Sequence, residues 1–207
     1  MSEQVQGPGV IELLRHGETT AGKCFLGSTD AELSELGWQQ MQAVELSDQY
    51  DLIISSPLSR CRSFSKQFAE KIEKPLQVVN EFREIDYGDW EAKTSDELWH
   101  IDENALADFW QDPVKNTPPG GESIKKFQKR ILKRYNTLSN ELADKRVLLV
   151  THAGVIKIIL CDLLGIDLNS MNKLAIDHAC VSQVLVWQNK PQSMQQIKYI
   201  NRAVLKY

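Results

Sequence analysis

Short apolar runs alternate along the chain with longer segments of helical periodicity. Between the runs, Ser34 and Ser123 stand where helix N-caps are expected, and apolar side chains recur at steps of three and four over residues 59–71, 123–142 and 155–164. This alternation predicts an α/β sandwich with a mostly parallel sheet. Pro191, between the last two runs, favours a hairpin there. The runs with the length and composition of strands are residues 10–14, 51–55, 76–79, 146–151, 181–187 and 196–200.

Residues 82–121 interrupt this alternation with a segment rich in aromatic and acidic side chains. The segment ends in Pro-Pro-Gly-Gly, a run that neither a helix nor a strand continues through. Its composition predicts a helical or loop insertion, or lid, over one edge of the sheet. Clustered aromatic side chains usually pack into a core of their own, and pocket lining is the alternative role.

Length, composition and charge are those of an ordinary globular domain. The 207 residues are 42% hydrophobic and 25% charged, and 24 basic against 28 acidic side chains give a net charge of −4. These values predict one domain over residues 10–207 after a flexible tail at residues 1–9. A mildly acidic chain is not expected to coat nucleic acid or anionic membranes, although it can hold a local cationic pocket. The basic side chains of the helix at 123–142 are therefore expected on a solvated face: Lys125, Lys126, Lys129, Arg130, Lys133 and Arg134.

Cysteine spacing and the N-terminus predict a cytoplasmic protein. The four cysteines are widely separated and form no Cys-x-x-Cys pair, which favours reduced thiols over a metal site or a disulfide framework. The first nine residues lack the basic start and apolar run of a signal peptide, and no apolar stretch is long enough to cross a bilayer. The sequence leaves the oligomeric state open, a homodimer included.

Two arginines and two histidines follow the predicted strands closely. Arg15 and His16 end the first strand, Arg60 comes shortly after the second, and His152 follows the fourth and opens a helix. Ligands of open α/β sheets bind at the carboxyl ends of the strands, where helix N-termini also attract anions. These side chains therefore predict a cationic pocket for a phosphate group, with a histidine available as a nucleophile.

Four motifs around these positions resemble those of the histidine phosphatase superfamily, which has the phosphoglycerate mutase-like fold. They occur in the family's order and span most of the chain. The resemblance implies a three-layer α/β/α sandwich with a mostly parallel central sheet. The four motifs are Leu14-Arg15-His16-Gly17-Glu18-Thr19, Ser56-Pro57-Leu58-Ser59-Arg60, Glu84-Ile85-Asp86-Tyr87-Gly88-Asp89-Trp90-Glu91 and Val150-Thr151-His152-Ala153-Gly154.

The resemblance also implies a phosphatase that needs neither a metal nor a cofactor. His16 is the expected nucleophile, which forms a phosphohistidine intermediate. Arg15, Arg60 and His152 are expected to hold the phosphate oxygens and to stabilise their charge in the transition state. Glu84 is expected to protonate the leaving alcohol and then to activate the hydrolytic water. The catalytic set is thus His16, Glu84 and His152.

The loop after the first motif is similar to that of the α-ribazole phosphatases of cobalamin biosynthesis. Many other relatives have Asn where Gly22 stands, followed by a slightly longer loop. The similarity implies hydrolysis of α-ribazole 5′-phosphate; the alternative is a broader phosphatase of small molecules or sugar (bis)phosphates. The expected substrate-pocket residues are Gly22, Phe25, Leu26, Tyr87 and Trp90.

Two other functions remain open. The segment from Gly17 to Cys24 nearly matches the P-loop of nucleotide-binding proteins, although Cys24 lacks the hydroxyl that would bind magnesium. A non-enzymatic binding module of the same fold is the second, and it is disfavoured because the nucleophile, arginine and acid positions are all kept. His100 and His178 lie outside the motifs and are expected to be structural or surface residues.

Overall fold

The computed structural model describes residues 7–142, 144–187 and 194–203, in which helices flank a six-stranded sheet. The strands are β1 (Gly9–Arg15), β2 (Leu52–Ser55), β3 (Leu76–Val78), β4 (Arg146–Thr151), β5 (Val181–Trp187) and β6 (Met194–Arg202). The helices are α1 (Glu35–Ala43), α2 (Ser59–Lys71), α3 (Ser95–Ile101), α4 (Glu103–Gln111), α5 (Ile124–Glu141) and α6 (Ala153–Leu164). Short 3₁₀ turns lie at Asn80–Phe82, Gly88–Trp90 and Leu168–Lys173.

The strand order β3-β2-β4-β1-β5-β6 brings the predicted functional segments to one edge of the sheet. Strands β3, β2, β4 and β1 pair in parallel, and β5 pairs antiparallel with both β1 and β6. Arg15 pairs with Thr151, and Ser55 pairs with Val150. The carboxyl ends of β1, β2 and β4 therefore lie side by side, and the predicted mostly parallel sheet is confirmed.

Helices cover both faces of the sheet, which explains why the strands read as nearly continuous apolar runs. Ile11 and Leu13 of β1 pack in one core cluster with side chains of α5 and α6. Leu14, on the opposite face, packs in a second cluster with side chains of α1 and α2. This arrangement confirms the three-layer α/β/α sandwich.

Local signals fix several helix ends. The Ser34 side chain accepts a hydrogen bond from the Gly37 amide at 3.0 Å, and Ser123 accepts one from the Lys126 amide at 3.4 Å, so both predicted N-caps are confirmed. Helix α6 ends at Gly165, whose φ of +64° lies in the left-handed region that glycine adopts without strain. At its other end, α6 begins directly after His152, which places that histidine at the helix N-terminus.

The segment predicted as an insertion contains α3 and α4. Thr94 and Glu97 form a reciprocal capping box at the start of α3. Both helices contribute to a small core of buried side chains, which also includes Phe25 from the loop after β1. The insertion is thereby held at the carboxyl edge of the sheet, next to the predicted site. The core consists of Phe25, Trp90, Leu98, Leu106 and Phe109.

Three predicted boundaries differ from the structure or fall outside it. Gly9, assigned to the N-terminal tail, is the first residue of β1 because its backbone pairs with Val186 of β5. Residues 1–6 of that tail and Pro191 of the predicted hairpin lie outside the described residues. Strand β6 extends beyond the predicted 196–200 because its pairing with β5 runs from Met194 to Arg202. Within the described ranges, no helix combines the length and apolarity that a bilayer crossing requires.

Candidate active site

A cavity of about 610 Å³ opens at the carboxyl ends of β1 and β4. Arg15, His16 and Glu84, three of the predicted functional residues, line it. Arg60 and His152 are fully buried and do not line the cavity; Arg60 contacts His152, whose ring lies next to that of His16. The sheet register thus brings all five side chains together: three line the cavity, and Arg60 and His152 are buried next to it.

His16 is held in the tautomer that a nucleophile needs. Its Nδ1 lies 2.7 Å from the carbonyl oxygen of Gly17, so Nδ1 carries the proton and Nε2 has a free lone pair. Burial lowers the pKa of His16 well below its ordinary value, and the positive charges of Arg60 and Arg15 lower it further. At neutral pH the imidazole is therefore uncharged, with Nε2 available to attack an electrophile.

Arg15 is anchored through two nitrogens and keeps a third without a protein partner. One terminal nitrogen donates to the carbonyl of Ile176 at 2.6 Å, and the other lies 2.8 Å from Nε2 of His178. Its Nε is buried and has no hydrogen-bond partner among the described residues. A buried donor without a partner costs free energy, so this nitrogen suits an anionic oxygen bound beside His16.

Arg60 and His152 form a second, fully buried pair. The Arg60 guanidinium donates to the carbonyls of Gly27 at 2.7 Å and Thr29 at 2.8 Å, and its Nε donates to Nδ1 of His152 at 3.3 Å. Because Nδ1 accepts, the proton of His152 lies on Nε2, which donates to Oγ of Ser56 at 2.7 Å. Burial and the charge of Arg60 lower the pKa of His152 well below its ordinary value, so this ring is neutral as well.

The burial of the Glu84 carboxyl favours its protonated form. Burial raises its pKa above the ordinary value; hydrogen bonds from the backbone N–H groups of Gly154 and Ile85, together with Arg60 and Arg15, limit the rise. Each of the two backbone bonds is 3.0 Å long. The carboxyl is therefore both fixed in orientation and suited to proton transfer.

Arg130 is a residue whose role the sequence pattern missed. It does not lie on the solvated face predicted for it, since it forms a two-point ion pair with Glu122 at 2.8 Å. It also donates to the backbone carbonyls of Glu81, Arg83 and Glu84. Arg130 therefore fixes the segment that carries the acid, a role that no helical period could reveal.

His178 and Lys157 are two further residues of the site that lie outside the motifs. His178 was expected to be a structural or surface residue, but it lines the cavity. Its ring centroid lies 5.6 Å from that of His16. Burial, followed by the charge of Arg15, lowers the pKa of His178 to about 4. Lys157 also lines the cavity, one turn into α6. His100, by contrast, is exposed on α3.

Aromatic side chains form one wall of the cavity. Of the predicted pocket residues, Gly22, Phe25, Leu26 and Tyr87 line it, and Phe109 and Trp110 of α4 join them. Trp90, which was predicted with them, does not line this cavity. Its ring packs edge-on against those of Phe25 and Phe109, with centroid separations of 5.6 and 5.3 Å. Both roles considered for these aromatics therefore occur: some line the cavity, and Trp90 packs against them.

The P-loop alternative fails on local structure. After Lys23 the described chain continues without a helix until α1 begins at Glu35. A P-loop needs its helix directly after the lysine, because the helix N-terminus binds the phosphates.

Comparisons with known proteins identify the family of this chain. Residues 11–198 match the family described as the histidine phosphatase superfamily (branch 1), whose members are phosphatases. The adenosylcobalamin/alpha-ribazole phosphatase of Escherichia coli (strain K12) is 26% identical over 177 residues, 83% of this chain and 87% of that protein. Phosphoserine phosphatase 1 of Hydrogenobacter thermophilus is 31% identical over 180 residues, 83% of this chain and 84% of that protein. The structure of a mycobacterial glucosyl-3-phosphoglycerate phosphatase is similar at a TM-score of 0.81 and 26% identity, covering 94% of this chain and 99% of that one. The chain therefore belongs to the histidine phosphatase superfamily (branch 1).

Proposed function

We propose that this protein hydrolyses a small phosphate monoester through a phosphohistidine formed on His16. The observation that carries the proposal is the unprotonated Nε2 of His16, a residue that lines the same cavity as Arg15, with its buried unpartnered donor, and the buried carboxyl of Glu84. A neutral imidazole nucleophile, a cationic cradle and a proton donor are the three groups that this reaction needs.

In the first step, the Nε2 lone pair attacks phosphorus and the bond from phosphorus to the alcohol oxygen breaks. Glu84 gives its proton to that oxygen, so the alcohol leaves neutral. In the second step, Glu84 takes a proton from water while the water oxygen attacks phosphorus. The phosphorus–nitrogen bond breaks, its electron pair returns to Nε2, and inorganic phosphate leaves.

The phosphoryl oxygens are proposed to bind where donors remain uncommitted. Arg15 offers its buried Nε, and Arg60 uses three of its five N–H groups on protein acceptors, which leaves two. The His152 and His16 ring centroids are 5.2 Å apart, and His152 is proposed to donate its Nε2–H to the same oxygens in place of Ser56 when phosphate binds. Neither a metal nor a cofactor has a part in this scheme, since the guanidinium groups neutralise the phosphate.

The nucleophile is tested by substitution. His16→Ala is expected to abolish turnover of p-nitrophenyl phosphate and to remove the acid-labile label that a phosphorylated substrate leaves on the protein. His100→Ala, at an exposed histidine of α3, is the matched control and should keep both. Substantial turnover by His16→Ala would refute the proposal.

The acid is tested by varying the leaving group. Glu84→Gln cannot supply a proton, so it should slow alkyl phosphates, which have poor leaving groups, far more than activated aryl phosphates. An equal loss on both substrates would argue against Glu84 as the acid.

For the substrate, α-ribazole 5′-phosphate of cobalamin biosynthesis is the first candidate. It is supported by the similarity to the Escherichia coli phosphatase and by the aromatic wall, against which a flat benzimidazole can stack. The free thiols of all four cysteines are in keeping with action in the cytoplasm.

A phosphate ester of an acidic alcohol is the second candidate, because a second cation, Lys157, lines the cavity. A kcat/KM panel containing α-ribazole 5′-phosphate, O-phosphoserine and 3-phosphoglycerate ranks the two.

A further inference from the structure

Glu91 closes the third of the four motifs, and the proposed reaction does not use it. Its carboxylate accepts four backbone hydrogen bonds, two on each oxygen. Oε1 accepts from the amides of Ser28 at 2.8 Å and Tyr87 at 2.9 Å. Oε2 accepts from the amides of Gly27 at 3.2 Å and Thr29 at 3.1 Å. Glu91 therefore fixes the backbone of residues 27–29 against its own segment of the chain.

These hydrogen bonds keep the Glu91 carboxyl ionised. Burial by itself would raise the pKa of Glu91, but the hydrogen bonds from Thr29, Tyr87 and Ser28 outweigh burial and hold the pKa below its ordinary value. A charged acceptor binds N–H groups about twice as strongly as a neutral one. The contact between Glu91 and residues 27–29 is therefore a strong one.

The segment that Glu91 binds is also the segment that holds Arg60. The Arg60 guanidinium donates to the carbonyl of Gly27 at 2.7 Å and to that of Thr29 at 2.8 Å. The amides of the same two residues donate to Glu91. Residues 27–29 thus form a bridge, with the Glu91 carboxylate bound to its N–H groups and the Arg60 guanidinium bound to its carbonyls.

The far end of this bridge is tied to the helix that carries Arg60. Asp30 accepts from the amide of Ser59 at 2.6 Å and from its hydroxyl at 2.8 Å. Ser59 is the first residue of α2, and Arg60 is the second. The position of the Arg60 guanidinium therefore depends on a loop that is held at both ends.

Two other parts of the site lie close to Glu91, and each has support of its own. Glu84, seven residues earlier in the chain, is held by two backbone amides at 3.0 Å. Phe25, which lines the cavity, forms backbone hydrogen bonds of 2.8 Å with residues 92 and 93. None of these contacts involves the Glu91 carboxylate, so a change at Glu91 should reach Arg60 first.

We propose that Glu91 is a positioning residue, which acts through residues 27–29 to orient the Arg60 guanidinium toward the transferring phosphoryl group. The inference rests on the proposed phosphatase function, in which Arg60 binds that group. The phosphoryl group is common to all substrates, whereas Glu84 acts on the leaving alcohol. The loss caused by a change at Glu91 should therefore be independent of the leaving group.

The test removes one carboxylate oxygen and keeps the shape of the side chain. In Glu91→Gln the amide NH2 cannot accept, so two of the four backbone donors lose their acceptor in either orientation. We expect kcat/KM to fall about tenfold or more, equally on p-nitrophenyl phosphate and on glycerol 3-phosphate. The Ki of inorganic phosphate should rise about tenfold. Glu91→Asp keeps both oxygens and should recover part of the loss.

A double-mutant cycle tests whether the effect passes through Arg60. Arg60→Lys loses the planar fork that binds the two carbonyls. Glu91→Gln added to Arg60→Lys should then lower kcat/KM on p-nitrophenyl phosphate by less than about twofold further. Fully additive losses would overturn the proposal, and so would a loss in Glu91→Gln that is much larger on glycerol 3-phosphate than on the aryl ester.

Controls separate failure of this inference from failure of the phosphatase function. Glu70→Gln, at an exposed position of α2, is the matched control and should change neither kinetics nor phosphate binding. Thermal unfolding checks that each variant is folded. No turnover of any ester by the wild-type protein would overturn the phosphatase function instead. The calorimetric Kd of inorganic phosphate for wild type and Glu91→Gln tests the positioning role without turnover, and equal Kd values would overturn it.

Discussion

The backbone N–H of Gly154 donates to the Glu84 carboxyl at 3.0 Å, and a Cβ at position 154 would overlap that carboxyl. Gly154→Ala should therefore displace the acid while leaving the fold intact. We expect kcat on an alkyl phosphate to fall about 10- to 100-fold, the effect of misplacing a catalytic group by about 1 Å, with a smaller loss on p-nitrophenyl phosphate. Gly7→Ala, where a Cβ meets no atom within 4 Å, is the control. A loss equal on both substrates would show that Gly154 acts otherwise than through Glu84.

Arg130 supports the same residue through its backbone. Its guanidinium holds the carbonyls of Glu81, Arg83 and Glu84, and Arg130→Met removes all three contacts and leaves Glu122 without its ion-pair partner. Steady-state kinetics should show a lower kcat on alkyl phosphates, about tenfold or more, with little change in KM. Lys129→Met is the neighbouring control. If Arg130→Met raised KM and left kcat unchanged, Arg130 would contribute to binding instead.

The contrast between Arg60 and Arg130 shows what the sequence could predict. Arg60 lies in a motif that follows a strand, and strand ends of a parallel sheet meet at one edge, so its place near His16 was predictable. Arg130 lies in a regular amphipathic helix that carries five other basic residues, and the sequence pattern does not distinguish it from them. Its partners are backbone carbonyls about fifty residues earlier in the chain, and the sequence carries no signal of backbone contacts.

The cavity walls were the least predictable part of the site. Phe25, in the loop after β1, lines the cavity, whereas Trp90, in the 3₁₀ turn Gly88–Trp90, packs against Phe25 and does not line it. Which of two neighbouring aromatics faces a ligand depends on side-chain direction and on how α3 and α4 close over the loop. Helix N-caps, by contrast, follow from local pattern, and the predicted caps at Ser34 and Ser123 are confirmed.

The pKa shifts of His16 and Glu84 predict activity at mildly acidic pH. His16 must be unprotonated, and its lowered pKa keeps it so until the pH falls well below 6.5. Glu84 must be protonated, and its raised pKa extends that state above its ordinary value of 4.5. We expect kcat/KM on an alkyl phosphate to fall as the pH rises through the pKa of Glu84. Glu84→Gln should lose this alkaline limb; a limb that persists unchanged in that variant would belong to another group.

Glu12 is a buried carboxylate remote from the chemistry, and it predicts a separable loss of stability. The Tyr50 hydroxyl, Gln183 Nε2 at 2.6 Å and the Tyr199 hydroxyl at 3.3 Å all donate to it. Glu12→Leu leaves these donors without an acceptor, at a cost of about 1–3 kcal/mol each. Thermal unfolding should show a Tm lowered by about 2–4 °C per kcal/mol, with a smaller shift for Glu12→Gln. The kcat per folded molecule should not change; a fall in kcat would tie Glu12 to the site.

His178 is expected to position Arg15 for phosphate. Its Nε2 accepts from the guanidinium at 2.8 Å, and a pKa lowered to about 4 keeps that nitrogen unprotonated at neutral pH. His178→Leu removes the acceptor, so the Ki of inorganic phosphate as a competitive inhibitor should rise about tenfold, equivalent to about 1.4 kcal/mol. His178→Asn retains an acceptor oxygen and should recover part of the affinity, and His100→Leu, on exposed α3, should change nothing. If the Leu and Asn variants were equally impaired, the imidazole itself, rather than its hydrogen bond to Arg15, would be what phosphate binding requires.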